Sequence, residues 1–349
     1  MLKEGGGVMR RAAIGIDLGK TELRVSVPGT GIYLRTPALA AVNKSTGAIA
    51  KIGEYAQGAV AQHSSLKLIP FFENSILENT ELAELVFRWC LQRTFPSDAG
   101  DDRVYVRALY SVPCSLTDAQ ECALIELLIK SGFEEAFLLY SPIAALIGCG
   151  CSLKNTYISV NIGAHTTDIA VVSAGQIIDR ASVKIGGAAF SEAIVQYVKK
   201  KHRITINRPT ADEIKHTIGT VWLDGEARAA DVIGVDSQGN CRQITLTSDE
   251  MVIALEEPCA GLLEAVCSSA IKVPHERVGD ALRNGIVLTG GGAYLSGIAN
   301  MLEGITGFPC RIPRDASDAV SRGLAMALER LPLALNSHNA SLVAAKCFY

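Results

Sequence analysis

The chain has 349 residues, 48% of them hydrophobic, with 33 basic and 36 acidic side chains and a formal net charge of −3. That length accommodates two α/β domains with buried cores, and the near balance of charge, with no block of five like charges, speaks against nucleic acid as a partner. The opening MLKEGGGVMRR carries a triple glycine and no apolar core of the kind a secretory signal needs, so it reads as a flexible tail.

Residues 12–37, AAIGIDLGKTELRVSVPGTGIYLRTP, predict strand, glycine turn, strand, glycine turn and strand. A strand pair over 39–52 with its turn at 43–47 follows, then a short helix over 55–62, a loop over 70–79 and a helix over 81–92 with Trp89 facing inward. Residues 94–103, TFPSDAGDDR, form a polar loop in which Phe95 is a candidate contact for a membrane or partner; Asp98, Asp101 and Asp102 favour a plain solvated loop. A strand over 104–112 ends at Pro113, and Thr117 opens a helix that closes at Gly132. Gln120, three residues after Thr117, has two readings: it bonds back to the cap, or it orients a water that attacks a terminal phosphate. A neutral amide holds a water but cannot take its proton, so the second reading implies slow hydrolysis.

A strand over 137–140 and a small-residue helix over 142–150 come next; the uncharged run 136–153 approaches a membrane span in length, but Pro142, Gly148 and Gly150 interrupt it. Residues 156–183 then repeat the opening pattern as strands over 157–162, 169–173 and 176–183, with Gly163, Ala164, His165, Thr166 and Thr167 in the first turn, where the two threonines can add side-chain donors. Gly186 and Gly187 lead into a helix over 190–201 whose closing lysines offset its dipole. Thr210 to Glu213 read as a second capping box, opening a helix on which Glu213 and Lys215 occupy different faces as ordinary surface residues. Strands around residues 236–239 form a small β-rich excursion, Thr247 and Glu250 cap a long helix towards Ser269, and a buried strand over 286–289 runs into Gly290, Gly291, Gly292 and Ala293 before a helix to Leu302. Three successive glycines exceed what a strand-to-helix turn requires and predict contact with a flat ligand on bare backbone. The ten cysteines contain no CxxC and have no histidine at zinc spacing, and read as small apolar core residues of a reducing cytoplasm.

The two meanders stand at one offset: Asp17 and Gly19 lie 144 residues before Asn161 and Gly163 (161−17 and 163−19). Glycine-rich turns let backbone N–H groups approach phosphate, so two such turns on two similar, facing domains predict a nucleoside polyphosphate with its metal ion. No GxGxxG follows the first strand and no GxxxxGK[ST] occurs, which argues against dinucleotide and Walker-type sites.

With these residues assembled, the chain resembles the actin-like ATPases, and within them the MreB/Mbl family of bacterial cell-shape-determining proteins. The motifs that carry the resemblance run from GIDLG at 15–19 through Val112-Pro113 with Thr117, Gly163 with Thr166-Thr167-Asp168, Thr210-Ala211 with Ile214-Lys215 and GIVLTGGGA at 285–293 to AVSRG at 319–323. The resemblance implies an α/β, actin-like (ribonuclease H-like) fold: domain I over 1–153 plus 318–349, domain II over 154–317 with a small subdomain near 190–258, and ATP with magnesium in the cleft. It assigns Gly19, Lys20 and Thr21 to the first phosphate turn, residues 163–166 to the second, and Asp212, Glu213, Ile214, Lys215 and Gly290 to Ala293 to the nucleoside. Asp17 acts on magnesium through water, and Gln120 stands where the family carries glutamate. Neutral Asn161 replaces an acidic residue, Ala164-His165 a Gly-Gly pair, Lys20 a threonine and Ser141 a glutamate, so carboxylates are lost near the expected metal. The expected function is a cytoplasmic, ATP-binding, filament-forming cytoskeletal protein in bacterial cell shape and cell-wall synthesis, peripheral to the membrane and partnered by membrane-bound cell-wall proteins, with weak hydrolysis. A glycine-rich start and an acidic loop depart from the family's amphipathic or apolar membrane attachments. The alternatives are a non-polymerising regulatory or assembly ATPase and a small-molecule kinase of the same superfold, the latter lacking a convincing aspartate base.

Overall fold

A computed structural model of the chain describes residues 10–73, 75–96, 104–223, 225 and 227–330. The glycine-rich start, the acidic residues 97–103 of the polar loop and the apolar tail 331–349 lie outside the described residues. The chain divides into two compact units, one built from Met1–Gly150 and Val320–Tyr349, the other from Cys151–Ala319.

In unit 1, β1 (Arg10–Leu18), β2 (Glu22–Val27) and β3 (Gly31–Pro37) are the expected meander. The strands β4 (Leu39–Asn43), β5 (Ile49–Ile52) and β6 (Leu66–Pro70) form a small sheet of order β5-β4-β6 beside α1 (Glu54–Gln62). Asn79 caps α2 (Thr80–Thr94) by accepting from the Leu82 N–H. Its buried face is Leu82, Ala83, Val86, Phe87 and Cys90; Trp89 falls between that face and solvent and is half-buried rather than inward. Then follow β7 (Val104–Val112), α3 (Asp118–Lys130), β8 (Glu135–Tyr140) and α4 (Ser141–Gly148), so the uncharged run 136–153 is a buried strand and a helix. The main sheet has the order β3-β2-β1-β7-β8, with β1, β7 and β8 parallel. Strands β7 and β8 are almost wholly buried, as parallel strands covered on both faces require.

Unit 2 repeats this plan. Its meander is β9 (Tyr157–Ile162), β10 (Thr167–Ser173) and β11 (Gln176–Val183), followed by α5 (Gly187–His202), β12 (Ile204–Thr205), α6 (Arg208–Thr217), β13 (Ala229–Asp236) and β14 (Cys241–Thr247). The helices α7 (Ser248–Ala254), α8 (Glu256–Ala270) and α9 (Val278–Asn284) precede β15 (Ile286–Thr289), α10 (Ile298–Thr306) and β16 (Cys310–Arg311). The main sheet, β11-β10-β9-β15-β16, has the same order and directions as the first, and β12-β13-β14 is its small companion. The last helix, α11 (Ala319–Arg330), belongs from Val320 onward to unit 1.

Three expectations change in unit 2. Helix α6 begins at Arg208 because Asn207 accepts from the Thr210 N–H and Pro209 fits the first turn, so Thr210 lies inside the helix and is not its cap. The helix opened by the Thr247 and Glu250 capping box breaks at Leu255, three residues before Pro258, whose ring removes a donor and crowds the Ala254 carbonyl. Gly291–Tyr294 form a 3-10 turn, and α10 starts only after Gly297. The cysteines are not uniformly core: Cys90, Cys114 and Cys259 are buried, whereas Cys122 and Cys241 are exposed.

Candidate functional site

The turn between β1 and β2 is closed by the Gly19 N–H donating to the Glu22 carbonyl at 2.9 Å, and that between β9 and β10 by the Gly163 N–H donating to the Thr166 carbonyl at 2.8 Å. These bonds stand 144 residues apart, as do the flanking rungs, Leu18 opposite Leu23 and Ile162 opposite Thr167. The repeat therefore extends to strand register.

In unit 1, Asp17 points from the end of β1 and is 17% exposed. The Ser111 hydroxyl of β7 donates to its Oδ1 at 2.9 Å and the Ser321 hydroxyl of α11 to its Oδ2 at 2.8 Å. Arg24, across the rung, brings Nη1 to 3.7 Å from Oδ2 and pairs with Glu22 at 2.5 Å. Lys20 and Thr21 occupy the turn, Lys20 half-buried and Thr21 exposed. Gly15 lets α11 approach: a Cβ there would stand 2.5 Å from Ser26 Oγ and 2.6 Å from Leu324 Cβ.

Gln120 makes both arms of the capping box. Its N–H donates to Thr117 Oγ1 at 3.3 Å, and its Oε1 accepts from the Thr117 N–H at 3.0 Å and from the Thr117 hydroxyl at 3.2 Å. The side-chain oxygen is thus committed to the helix start, which leaves only the amide NH2 for a water.

In unit 2 the turn is tied down by backbone. The Gly187 and Ala188 N–H groups at the start of α5 donate to the carbonyls of Gly163 and Ala164 at 3.0 and 2.6 Å. Thr166 is half-buried and His165 exposed. Asn161 Oδ1 accepts from the Thr289 hydroxyl at 3.2 Å.

Lys215 is not a surface residue. Its side chain is 12% exposed and its ammonium donates to the Gly187 carbonyl at 3.0 Å, Ser191 Oγ at 2.7 Å and Asp212 Oδ1 at 2.8 Å, which satisfies all three of its protons. Burial pushes the Asp212 carboxyl up, but hydrogen bonds from Lys215 and Ser191 outweigh it and hold the group below the usual range. Glu213 is exposed on the other side, whereas Ile214 packs in the core with 2% exposure and offers a ligand only backbone.

The glycine triplet divides by cause. A Cβ on Gly290, whose φ is +82°, would come within 2.3 Å of the Ile162 carbonyl oxygen, and one on Gly292 within 2.2 Å of Ile162 Cγ2. Packing on β9 therefore explains both. Gly291 has no atom within 4 Å of its Cβ position and remains the bare surface of the three. Ala293 is fully buried beside them, so its side chain belongs to the core. Sequence reading missed Ser111 and Ser191, since single serines in strands and helices carry no spacing signal, and it gave Ser321 no role beyond its place in AVSRG at 319–323.

The family model described as MreB/Mbl protein matches residues 11–335. The chain is 31% identical to the cell shape-determining protein MreB of Escherichia coli K12 over 341 residues, covering 95% of this chain and 97% of that protein. It is 29% identical to the cell shape-determining protein Mbl of Bacillus subtilis 168, covering 91% and 96%. Among solved structures, MreB5 of Spiroplasma citri bound to ADP aligns with a TM-score of 0.80 at 25% identity over 90% of this chain and 94% of that one. The MamK double helical filament aligns with a TM-score of 0.76 at 19% identity, covering 93% and 100%, and so shares the actin-like fold.

Proposed function

The chain belongs to the MreB/Mbl family, and from that premise we propose that it binds ATP and assembles into filaments that take part in bacterial cell shape and the placement of cell-wall synthesis. The observation that carries this reading is the doubled meander, with matching turn hydrogen bonds and register at Gly19 and Gly163. Each turn is short and closed by a glycine, which lets a phosphate approach its backbone, and relatives across nearly the whole chain are cell-shape proteins or nucleotide-bound structures. In this reading residues 17–21 and 163–166 take the phosphates, while Asp212, Lys215 and the bare Gly291 face the nucleoside. Hydrolysis is slow, because Gln120 has no basic oxygen and spends its carbonyl on Thr117. Among the described residues no helix is long and apolar enough to cross a membrane.

Sedimentation at high speed with ATP, with ADP and without nucleotide tests the proposal, the pellets being inspected by negative-stain microscopy. ATP-promoted filaments are expected. Protein that stays in the supernatant under all three conditions refutes filament assembly.

A further inference from the structure

Divalent cations in nucleotide sites are held by phosphate oxygens together with one or two carboxylates or their ordered waters. The residues around the first turn do not fit that pattern. Asp17 receives a hydroxyl on each oxygen, from Ser111 and Ser321, and faces the Arg24 guanidinium, which Glu22 also binds. The two acids and three bases of this cluster, Asp17, Glu22, Lys20, Arg24 and Arg35, whose Nε lies 3.9 Å from Glu22, sum to +1 (3−2). Arg24 spends its charge on the two carboxylates. Lys20 has no hydrogen-bonding or ionic partner among the described residues, so the uncommitted charge at the turn is positive. Among the described residues no group of three acidic, histidine or cysteine side chains is placed to hold a metal ion.

We propose that this protein binds its nucleoside triphosphate without a divalent cation, the Lys20 ammonium at the β1–β2 turn neutralising the phosphates in the metal's place. The inference rests on the nucleotide-binding reading above and sharpens it. Lysine suits the task because its ammonium is a compact point charge on a flexible stem, and the turn holds it next to Gly19, whose N–H closes the hairpin on the Glu22 carbonyl. A cation fixed to the chain also lowers the need to recruit magnesium with each nucleotide.

The test is ATP binding by titration calorimetry in excess EDTA and in magnesium chloride, on the wild-type chain, Lys20→Thr and Lys20→Arg, with circular dichroism to check folding. The wild type should bind ATP in EDTA within about threefold of its affinity in magnesium, and Lys20→Thr should lose about tenfold in EDTA while Lys20→Arg retains binding. A wild-type affinity that falls tenfold or more in EDTA, about one decade in Kd, overturns the inference and leaves nucleotide binding intact. Equal binding by wild type and folded Lys20→Thr in EDTA also overturns it. Should Lys20→Thr fail to fold, the wild-type comparison and Lys20→Arg still decide. No ATP binding by the wild type in either buffer overturns the nucleotide reading itself and this inference with it.

Discussion

On the second rung from each turn, unit 1 sets Asp17 opposite Arg24, whereas unit 2 sets Asn161 opposite Asp168. Beside each stands a strand-borne hydroxyl: Ser111 donates to Asp17 and Thr289 to Asn161. A hydroxyl donates equally well to a carboxylate or an amide oxygen, so the duplicated backbone tolerates a change of charge at this position. What differs is the means of holding the turn. Unit 1 surrounds it with charged side chains and adds one backbone bond, from the Ala38 N–H to the Thr21 carbonyl, while unit 2 fastens it by two backbone bonds, from Gly187 and Ala188. The hairpin geometry survives both solutions, and the chemistry offered to a ligand does not.

The comparison breaks most severely at Gly186. A Cβ there would stand 2.6 Å from the Gly163 carbonyl oxygen and 2.8 Å from the His165 nitrogen, both backbone atoms that cannot swing away. Gly186→Val should destabilise unit 2 by about 3 kcal/mol and expose β9 and β10 amides to exchange, with unit 1 amides little changed. Hydrogen exchange read by mass spectrometry gives the answer; equal deprotection of both units would show that the turn does not depend on this contact.

Acid should act next most strongly, and unevenly. Asp212, Asp236, Glu250 and Asp280 of unit 2 have lowered carboxyl pKa values, against Glu84 alone in unit 1 among the described residues. For Glu250, burial raises the value, but hydrogen bonds from Lys201, His202 and the Thr247 N–H overcome it. A depressed folded pKa contributes stability that is complete above the unfolded values, 3.8 for aspartate and 4.5 for glutamate, and is lost as pH falls through the lower folded values. Unit 2 amides should therefore open before those of unit 1 as pH falls below 4.5 and on through the lowered folded values. The effect is smaller than that of the glycine change because Asp212 keeps 40% of its side chain in water. Simultaneous opening would contradict it.

Gln120→Glu is the gentlest change. A carboxylate serves the capping box as well as the amide and favours a helix start, so stability should rise by about 0.5 kcal/mol. Phosphate release from ATP should increase, since the new oxygen accepts a proton. Unchanged release with a raised Tm would confine residue 120 to the cap.

Much of the fold was legible because alternation and glycine turns mark a meander locally, and the 144-residue offset carried over to individual rungs and hydrogen bonds. Sites made by distant partners were not. The acceptors of Lys215 include Gly187 and Ser191, 28 and 24 residues away, and nothing in the spacing of 210–215 reveals them. The glycine triplet showed the opposite failure: its signal was plain, but Gly290 and Gly292 answer to Ile162, so only Gly291 retains the meaning first given to all three. At the start of α6, Thr210 satisfied the capping pattern by type, while Asn207 with Pro209 satisfied it in space.

The Ser321 hydroxyl that meets Asp17 comes from 304 residues downstream, and Leu324 of the same helix covers Gly15. Unit 2 has all its residues once Ala319 has been made; unit 1 does not. On the ribosome, the segment begun second is therefore the first that can finish folding, and β1 must wait for α11 with its apolar flank uncovered. The hydroxyl pair around Asp17 is therefore complete only after α11 has been made, long after the strand that carries the carboxylate.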